Sequence, residues 1–108
     1  MSIYYAAQWS VRPADVERCE GALKVIAEHV KVAHPGVLSV QVYRQAWGPY
    51  PRRAYLWLEE YASLAAMEAE PETPECAVVW QPVESMAEDG TYICSVWSDL
   101  SRALWFSR

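Results

Sequence analysis

Glu59 closes the run Tyr55-Leu56-Trp57-Leu58-Glu59, in which alternate residues are a phenol, an indole and a carboxylate. Alternate side chains of a strand share one face, so this spacing lines up a proton acceptor with two planar rings. Burial would raise the affinity of Glu59 for a proton and suit it to acid–base work. Near a strand end the same residue can instead be a solvated charge or the partner of an arginine. Tyr43 lies in the neighbouring run Val40-Gln41-Val42-Tyr43, and its hydroxyl could hold a phenolate. Glu59 and Tyr43 are therefore the candidate catalytic groups. Trp57, Tyr55, Trp9 and Trp80, with Trp97 beside them, are the candidate substrate-binding rings. Large rings with a polar tip stack planar ligands. They are equally favoured in subunit interfaces, so packing is the competing reading.

The remaining reactive side chains carry weaker signals. His29 sits among charges on a helical stretch and His34 follows it. Neither is spaced with another ligand, and no metal site is expected. Cys19, Cys76 and Cys94 have no CxxC spacing and an odd count. With no charged-then-apolar leader at the start, they read as reduced thiols of a cytoplasmic protein. Arg44, Arg52 and Arg53 flank Trp47 and Tyr50. They could steer an anionic substrate, or simply keep an exposed hairpin from sticking.

The elements that must position these groups follow from periodicity. Ile3 to Val11 alternates as a strand, with Trp9 on the side of Ile3 and Tyr5. Pro13 opens a helix whose apolar stripe is Val16, Cys19, Leu23, Ile26, Val30 and Ala33. Gly21 inside it suggests a close approach of another backbone, and His34-Pro35-Gly36 ends it. Two strands, Leu38 to Tyr43 and Ala54 to Glu59, form a hairpin around Gly48-Pro49-Tyr50-Pro51. Each has one aliphatic face and one of Tyr, Trp, Gln and Glu, which places Tyr43 with Trp57. A second helical region starts near Tyr61, breaks at Glu70-Pro71, restarts at Thr73-Pro74-Glu75 and should kink or end at Pro82. Thr91 to Trp97 is the last strand, and the apolar Leu104-Trp105-Phe106 is expected to dock on the domain.

Composition bounds what this assembly can be. With 108 residues, 53% of them hydrophobic and 21% charged, one domain over residues 1–108 with a real core is expected. No run reaches the roughly 20 apolar residues that cross a bilayer. From Ala54 to Ser101 there are ten acids and no Lys or Arg, which excludes a phosphate-binding face and thus a nucleic-acid partner. Two helices cover one face of a four-stranded sheet. Yet the first and last strands carry bulky residues on both sides: Tyr4 and Tyr5, then Tyr92 and Val96 against Ile93 and Trp97. A second copy packed sheet to sheet would cover the excess, so a homodimer is expected.

Element order and local phrases together resemble a known group. The Pro-started helix with its stop through "HPGVLSVQVYRQ", and the third strand entering "EEYASLAAMEA" before a broken acidic helix, are similar to the dimeric α+β-barrel superfamily. Within it the chain looks most like antibiotic-biosynthesis monooxygenase-type domains. The resemblance implies an α+β, ferredoxin-like β-α-β-β-α-β fold with a four-stranded antiparallel sheet and helices on one face, paired into a dimeric α+β barrel. It implies a pocket in each subunit for a small apolar or aromatic molecule, and in some members oxygenation of polyketide-like phenols without a cofactor. The haem-degrading branch pairs an Asn on the first strand with a Trp and a His of the second helix. This chain has no Asn at all, and its histidines are His29 and His34, so no haem ligand carries over. Two functions stay open: a cofactor-independent monooxygenase, and a non-catalytic ligand-binding or assembly protein of the same fold.

Overall fold

The eight-residue strand β1 (Ile3–Ser10) lies at the centre of the architecture because it has an antiparallel partner on each side. The structure, a computed structural model, describes residues 2–99, so Leu104-Trp105-Phe106 and the docking expected of it lie outside the described residues. A 3₁₀ turn at Pro13–Asp15 leads into α1 (Val16–Ala33). Then come β2 (Ser39–Arg44), β3 (Ala54–Tyr61), the short α2 (Leu64–Ala69), α3 (Pro74–Met86) and β4 (Ile93–Ser98). The sheet order is β2-β3-β1-β4. This is the ferredoxin-like arrangement expected, with the second helix divided in two.

Each boundary has a local cause. Proline fits the first turn before α1, where its missing N–H would have no partner. Asp15, buried at the start of α1, is held by Arg12 at 3.2 Å and Arg18 at 3.4 Å. Cys19, Leu23, Ile26 and Val30 form the buried stripe of α1, at the spacing that puts one helix face on the core. Ser63 caps α2 and Thr73 caps α3, each hydroxyl accepting a backbone N–H three residues on. The divide between those helices is Glu70-Pro71, as the sequence indicates. Gly90 takes a left-handed φ of 76° in the turn before β4, a conformation that costs glycine little.

Two expectations are corrected. Pro82 neither ends nor divides α3, which continues four residues beyond it to Met86. The carbonyl it fails to serve belongs to Val78, and both residues are on the solvent side of the helix; water can satisfy that group. Trp80, Val83 and Met86 bury the opposite side of α3 and hold it on the sheet. Gly21 marks no close approach: it is exposed, and a Cβ built there meets nothing within 4 Å.

The helices cover one face of the sheet. Trp9, Val11, Cys19, Ile26, Trp57 and Val83 make the fully buried centre between the two layers. The other face carries Tyr43, Ile93 and Trp97, which are 52%, 55% and 60% exposed.

Candidate active site

Strand β3 builds the site. Tyr55, Trp57, Glu59 and Tyr61 all point under the helices and are buried, because residues two apart in a strand share a face. Across the β1 ladder they meet Trp9, Ala7, Tyr5 and Ile3 in that order. The small Ala7 opposite Trp57 leaves room for the indole, which stands edge-on to Trp80 at a centroid distance of 5.0 Å. Trp9 in turn packs on Tyr55 at 5.8 Å, Trp80 at 6.1 Å and Tyr92 at 6.0 Å.

Glu59 lies among these rings with only 9% of its surface exposed. Trp57 Nε1–H donates to Oε1 at 2.9 Å, and the Tyr61 hydroxyl donates to Oε2 at 2.7 Å. Both donors are two residues away on the same strand, so the carboxylate is oriented by its own neighbours. Each oxygen keeps a second lone pair for another proton or ligand. Beside it opens a cavity of about 640 Å³ between the sheet, the end of α1 and the α2–α3 segment. Tyr5 and Tyr61 from the sheet, Tyr92 from just before β4, and Cys76 and Trp80 from α3 line it with Glu59.

These phenols are donors rather than bases. Burial raises the pKa of Tyr61, and the adjacent Glu59 carboxylate raises it further. Burial likewise raises Tyr5 and Tyr92, with the Cys94 thiol, 3.0 Å from the Tyr5 hydroxyl, adding to both. The Cys76 thiol is also pushed up, first by burial and then by Glu59, Glu72 and Glu84. The cavity walls include Glu59, Glu68, Glu70, Glu72 and Glu84, and among the described residues no Lys or Arg lines them. An uncharged guest therefore suits this space better than an anion.

The structure divides the predicted site residues between two places. Glu59 and Trp80 line the cavity, and Trp57 stands behind it holding the carboxylate. Trp9, Tyr55 and Tyr43 instead border a hollow of about 560 Å³ at the hairpin end. Trp9 and Tyr55 are otherwise core packing, 2% and 4% exposed, and the Tyr55 hydroxyl donates to Glu20 at 2.8 Å. Tyr43 is corrected. The register pairs Val42, not Tyr43, with Trp57, so Tyr43 points from the opposite face of the sheet and donates to Gln41 at 3.1 Å. It cannot work with Glu59 on one substrate atom. Two of the hairpin arginines tie elements together: Arg44 pairs with Glu20 at 3.0 Å, and Arg53 with Glu88 and the Val11 carbonyl.

Sequence reasoning passed over Tyr61, Tyr5 and Tyr92. Tyr61 was detectable, since it continues the same alternation two residues past Glu59. Tyr5 and Tyr92 reach the cavity only through the tertiary fold, Tyr5 by pairing with Glu59 and Tyr92 from the turn before β4. The histidines meet a residue from another element. His34 is buried at the end of α1 with Nδ1 3.2 Å from a Glu70 oxygen, and its ring stands 5.4 Å from that of His29. Cys76 joins them from α3, which spacing along the chain could not show.

No protein-family model and no curated protein matches the sequence. Solved structures do match the fold. A protein from Caulobacter crescentus CB15 named as a candidate antibiotic biosynthesis monooxygenase superposes with a TM-score of 0.72 at 23% identity, over 92% of this chain and 90% of that one. A variant of SnoaB, a cofactor-independent oxygenase from Streptomyces nogalater, gives 0.73 at 11% identity over 92% and 93%. A conserved protein from Methanosarcina mazei Go1 gives 0.72 at 16% over 92% and 93%. The chain thus has the ferredoxin-like α+β fold of the antibiotic-biosynthesis monooxygenase-type structures. At these identities the likeness establishes the fold, while function is decided by the site. No helix among the described residues is long and apolar enough to cross a membrane.

Proposed function

We propose that this protein binds a small, planar, uncharged aromatic molecule beside Glu59 and oxygenates it with molecular oxygen, without a cofactor. The observation that carries the reading is the buried Glu59 carboxylate, fixed by Trp57 and Tyr61 at the wall of a ring-lined cavity. Glu59 would take the proton of a phenolic substrate. The resulting phenolate passes one electron to oxygen, and the two radicals join at a ring carbon to give a peroxide. The proton held by Glu59 returns to the outer peroxide oxygen. Loss of the ring C–H proton with cleavage of the O–O bond then releases water and leaves a quinone. One phenol and one oxygen molecule thus become one quinone and one water. Neutral tyrosine hydroxyls in the cavity can donate to the oxyanions along the way.

A second copy belongs to this reading. The open sheet face carries Tyr4, Leu56, Leu58, Ile93 and Trp97, a row of apolar side chains that water solvates poorly. Packing two such faces together would close a barrel and fix the strands that form the cavity floor.

Oxygen uptake over a panel of neutral polycyclic phenols and quinols tests the proposal, with native mass spectrometry identifying any molecule already bound. Uptake should match quinone formed mole for mole. Glu59→Gln, isosteric but unable to hold the proton, should slow it by about 10²–10⁴-fold while tryptophan fluorescence still reports binding. Binding without uptake by the unaltered protein would sink the oxygenase and leave the non-catalytic binding protein.

A further inference from the structure

We propose that His29, His34 and Cys76 form a zinc site, binding the ion through both imidazole Nε2 atoms and the Cys76 thiolate. One nitrogen of each histidine and the Cys76 sulfur lie within 4.8 Å of one another. The chain brings them together from separate elements. His29 is on α1, His34 is its C-cap with φ −126° and ψ 74°, and Cys76 is in the first turn of α3. Five residues along a continuous helix would not put two rings on the same side. The chain leaves the helix at His34, and this turns the second imidazole back toward the first, ring to ring at 5.4 Å.

Two further observations point to a ligand. The Nε2 atoms of His29 and His34 are both buried without a hydrogen-bond partner among the described residues, and His34 as a whole is 7% exposed. Buried imidazole nitrogens usually have a partner, and two such rings left unpartnered beside one cysteine suit a shared ion. A carboxylate also stands behind His34, and it favours the Nδ1–H tautomer. His34 Nδ1 faces Glu70 Oε2 at 3.2 Å, so a proton on Nδ1 leaves the Nε2 lone pair free. Glu70 is in turn fixed by the Gly36 N–H at 2.6 Å on its other oxygen. A carboxylate behind a ligating histidine is the usual outer support of a zinc site.

Ligand type and charge select the ion. Two imidazoles with a thiolate suit zinc, whose bonds of about 2.0–2.3 Å require the three groups to draw in by side-chain rotation. Glu59, Glu72 and Glu84 all act on Cys76 electrostatically, a field that attracts a dication. The binding step releases one thiol proton to solvent and forms the zinc–sulfur bond. His34 and Cys76 also line the cavity beside Glu59, so the fourth position is open to water or to a guest. Zinc does no redox chemistry, and the site stands or falls separately from the oxygenase reading.

The test uses reduced, metal-free full-length protein titrated with Co²⁺ and then Zn²⁺. One equivalent of Co²⁺ should give a thiolate-to-metal charge-transfer band, and one equivalent of Zn²⁺ should remove it. Cys76→Ser should abolish the band, Cys94→Ser should leave it, and His34→Ala should weaken binding at least 100-fold (order of magnitude). Glu70→Gln should keep the band and weaken binding by about 10–100-fold. His29→Ala, on a partly exposed ring, gives a second ligand deletion should His34→Ala fail to fold by circular dichroism. No band with the unaltered protein, or a band that survives Cys76→Ser, overturns the site.

Discussion

The two faces of β3 are built from one stretch of chain and have opposite characters. Tyr55, Trp57, Glu59 and Tyr61 lie beneath the helices with exposures of 4%, 0%, 9% and 6%. Ala54, Leu56, Leu58 and Glu60 face away and are all partly exposed. The rings with polar tips and Glu59 are inside, and outside are the aliphatic Ala54, Leu56 and Leu58, with Glu60 at the end. For a sheet covered on one side only, that is the reverse of the usual arrangement. The inner face can hold polar tips because they satisfy one another, as Trp57 and Tyr61 do on Glu59. The outer leucines have no such internal solution and require another apolar surface. In the proposed reading one face serves chemistry and the other association.

Truncating the inner face should have the largest effect. Trp57→Ala removes a fully buried indole, its contact with Trp80 and one of the two donors to Glu59. A loss of about 3–5 kcal/mol is expected, measured as a shift in urea midpoint with unchanged slope. The loss should be the same at every protein concentration, because this side chain lies on the helix-covered face, away from the proposed contact. A cost below about 1 kcal/mol would show that the inner rings are loosely packed and that the comparison is drawn too sharply.

The outer face should respond in the complementary way. Leu56→Arg places a charge at the middle of the open face, opposite Tyr43 and Gln8. Within one subunit this should change stability by no more than about 0.5 kcal/mol, the usual range for a surface position. In sedimentation velocity at micromolar concentration it should convert a dimer to a monomer of normal circular dichroism. Trp57→Phe should leave the dimer intact. An unaltered protein that sediments as a monomer would remove the second copy from the reading altogether.

Which residues the sequence places correctly, and which it does not, follows the same division. Among the described residues alternation and helical period locate the strands and helices, although Tyr61 ends β3 rather than opening the second helical region, and the proline and cap residues locate most boundaries, because those signals act over a few neighbours. Assigning a strand residue to a face also requires its register against the next strand. The loop across residues 45–53 sets that register so that Val42 meets Trp57, and a shift of one residue would have exchanged the faces. Tyr43 is misplaced for this reason alone, while Glu59 is placed well because its partners are on its own strand. Cys76 meets His29 and His34 across the α1–α3 contact, where no local spacing reports it. Pro82 does not end α3, because Trp80, Val83 and Met86 hold the helix on the sheet past it.

Alkaline pH should expose the inner face gradually. Burial raises the pKa of Tyr5, Tyr55, Tyr61 and Tyr92 above the ordinary phenol value. The folded state therefore holds these protons more tightly than the unfolded state. Their contribution to stability is fully present below the unfolded value of about 10 and is lost as pH rises through the higher folded values. Unfolding midpoints should stay flat with respect to these groups below that point and fall above it. Tyr61→Phe should flatten part of the fall, and an unchanged slope in that variant would mean that Tyr61 is not held as its bond to Glu59 indicates.

The smallest effect tests whether association uses the sheet or the helices. Gly21 lies on the solvent side of α1, and a Cβ there meets nothing within 4 Å. Replacing it with alanine removes backbone freedom from the unfolded chain and should stabilise the protein by about 0.5–1 kcal/mol. If the partner packs on the open sheet face, Gly21→Ala leaves the dimer dissociation constant unchanged while the melting temperature rises. If the helix layer is the true contact, the added methyl meets the partner, dissociation becomes easier, and the assignment of chemistry to one face and association to the other is wrong.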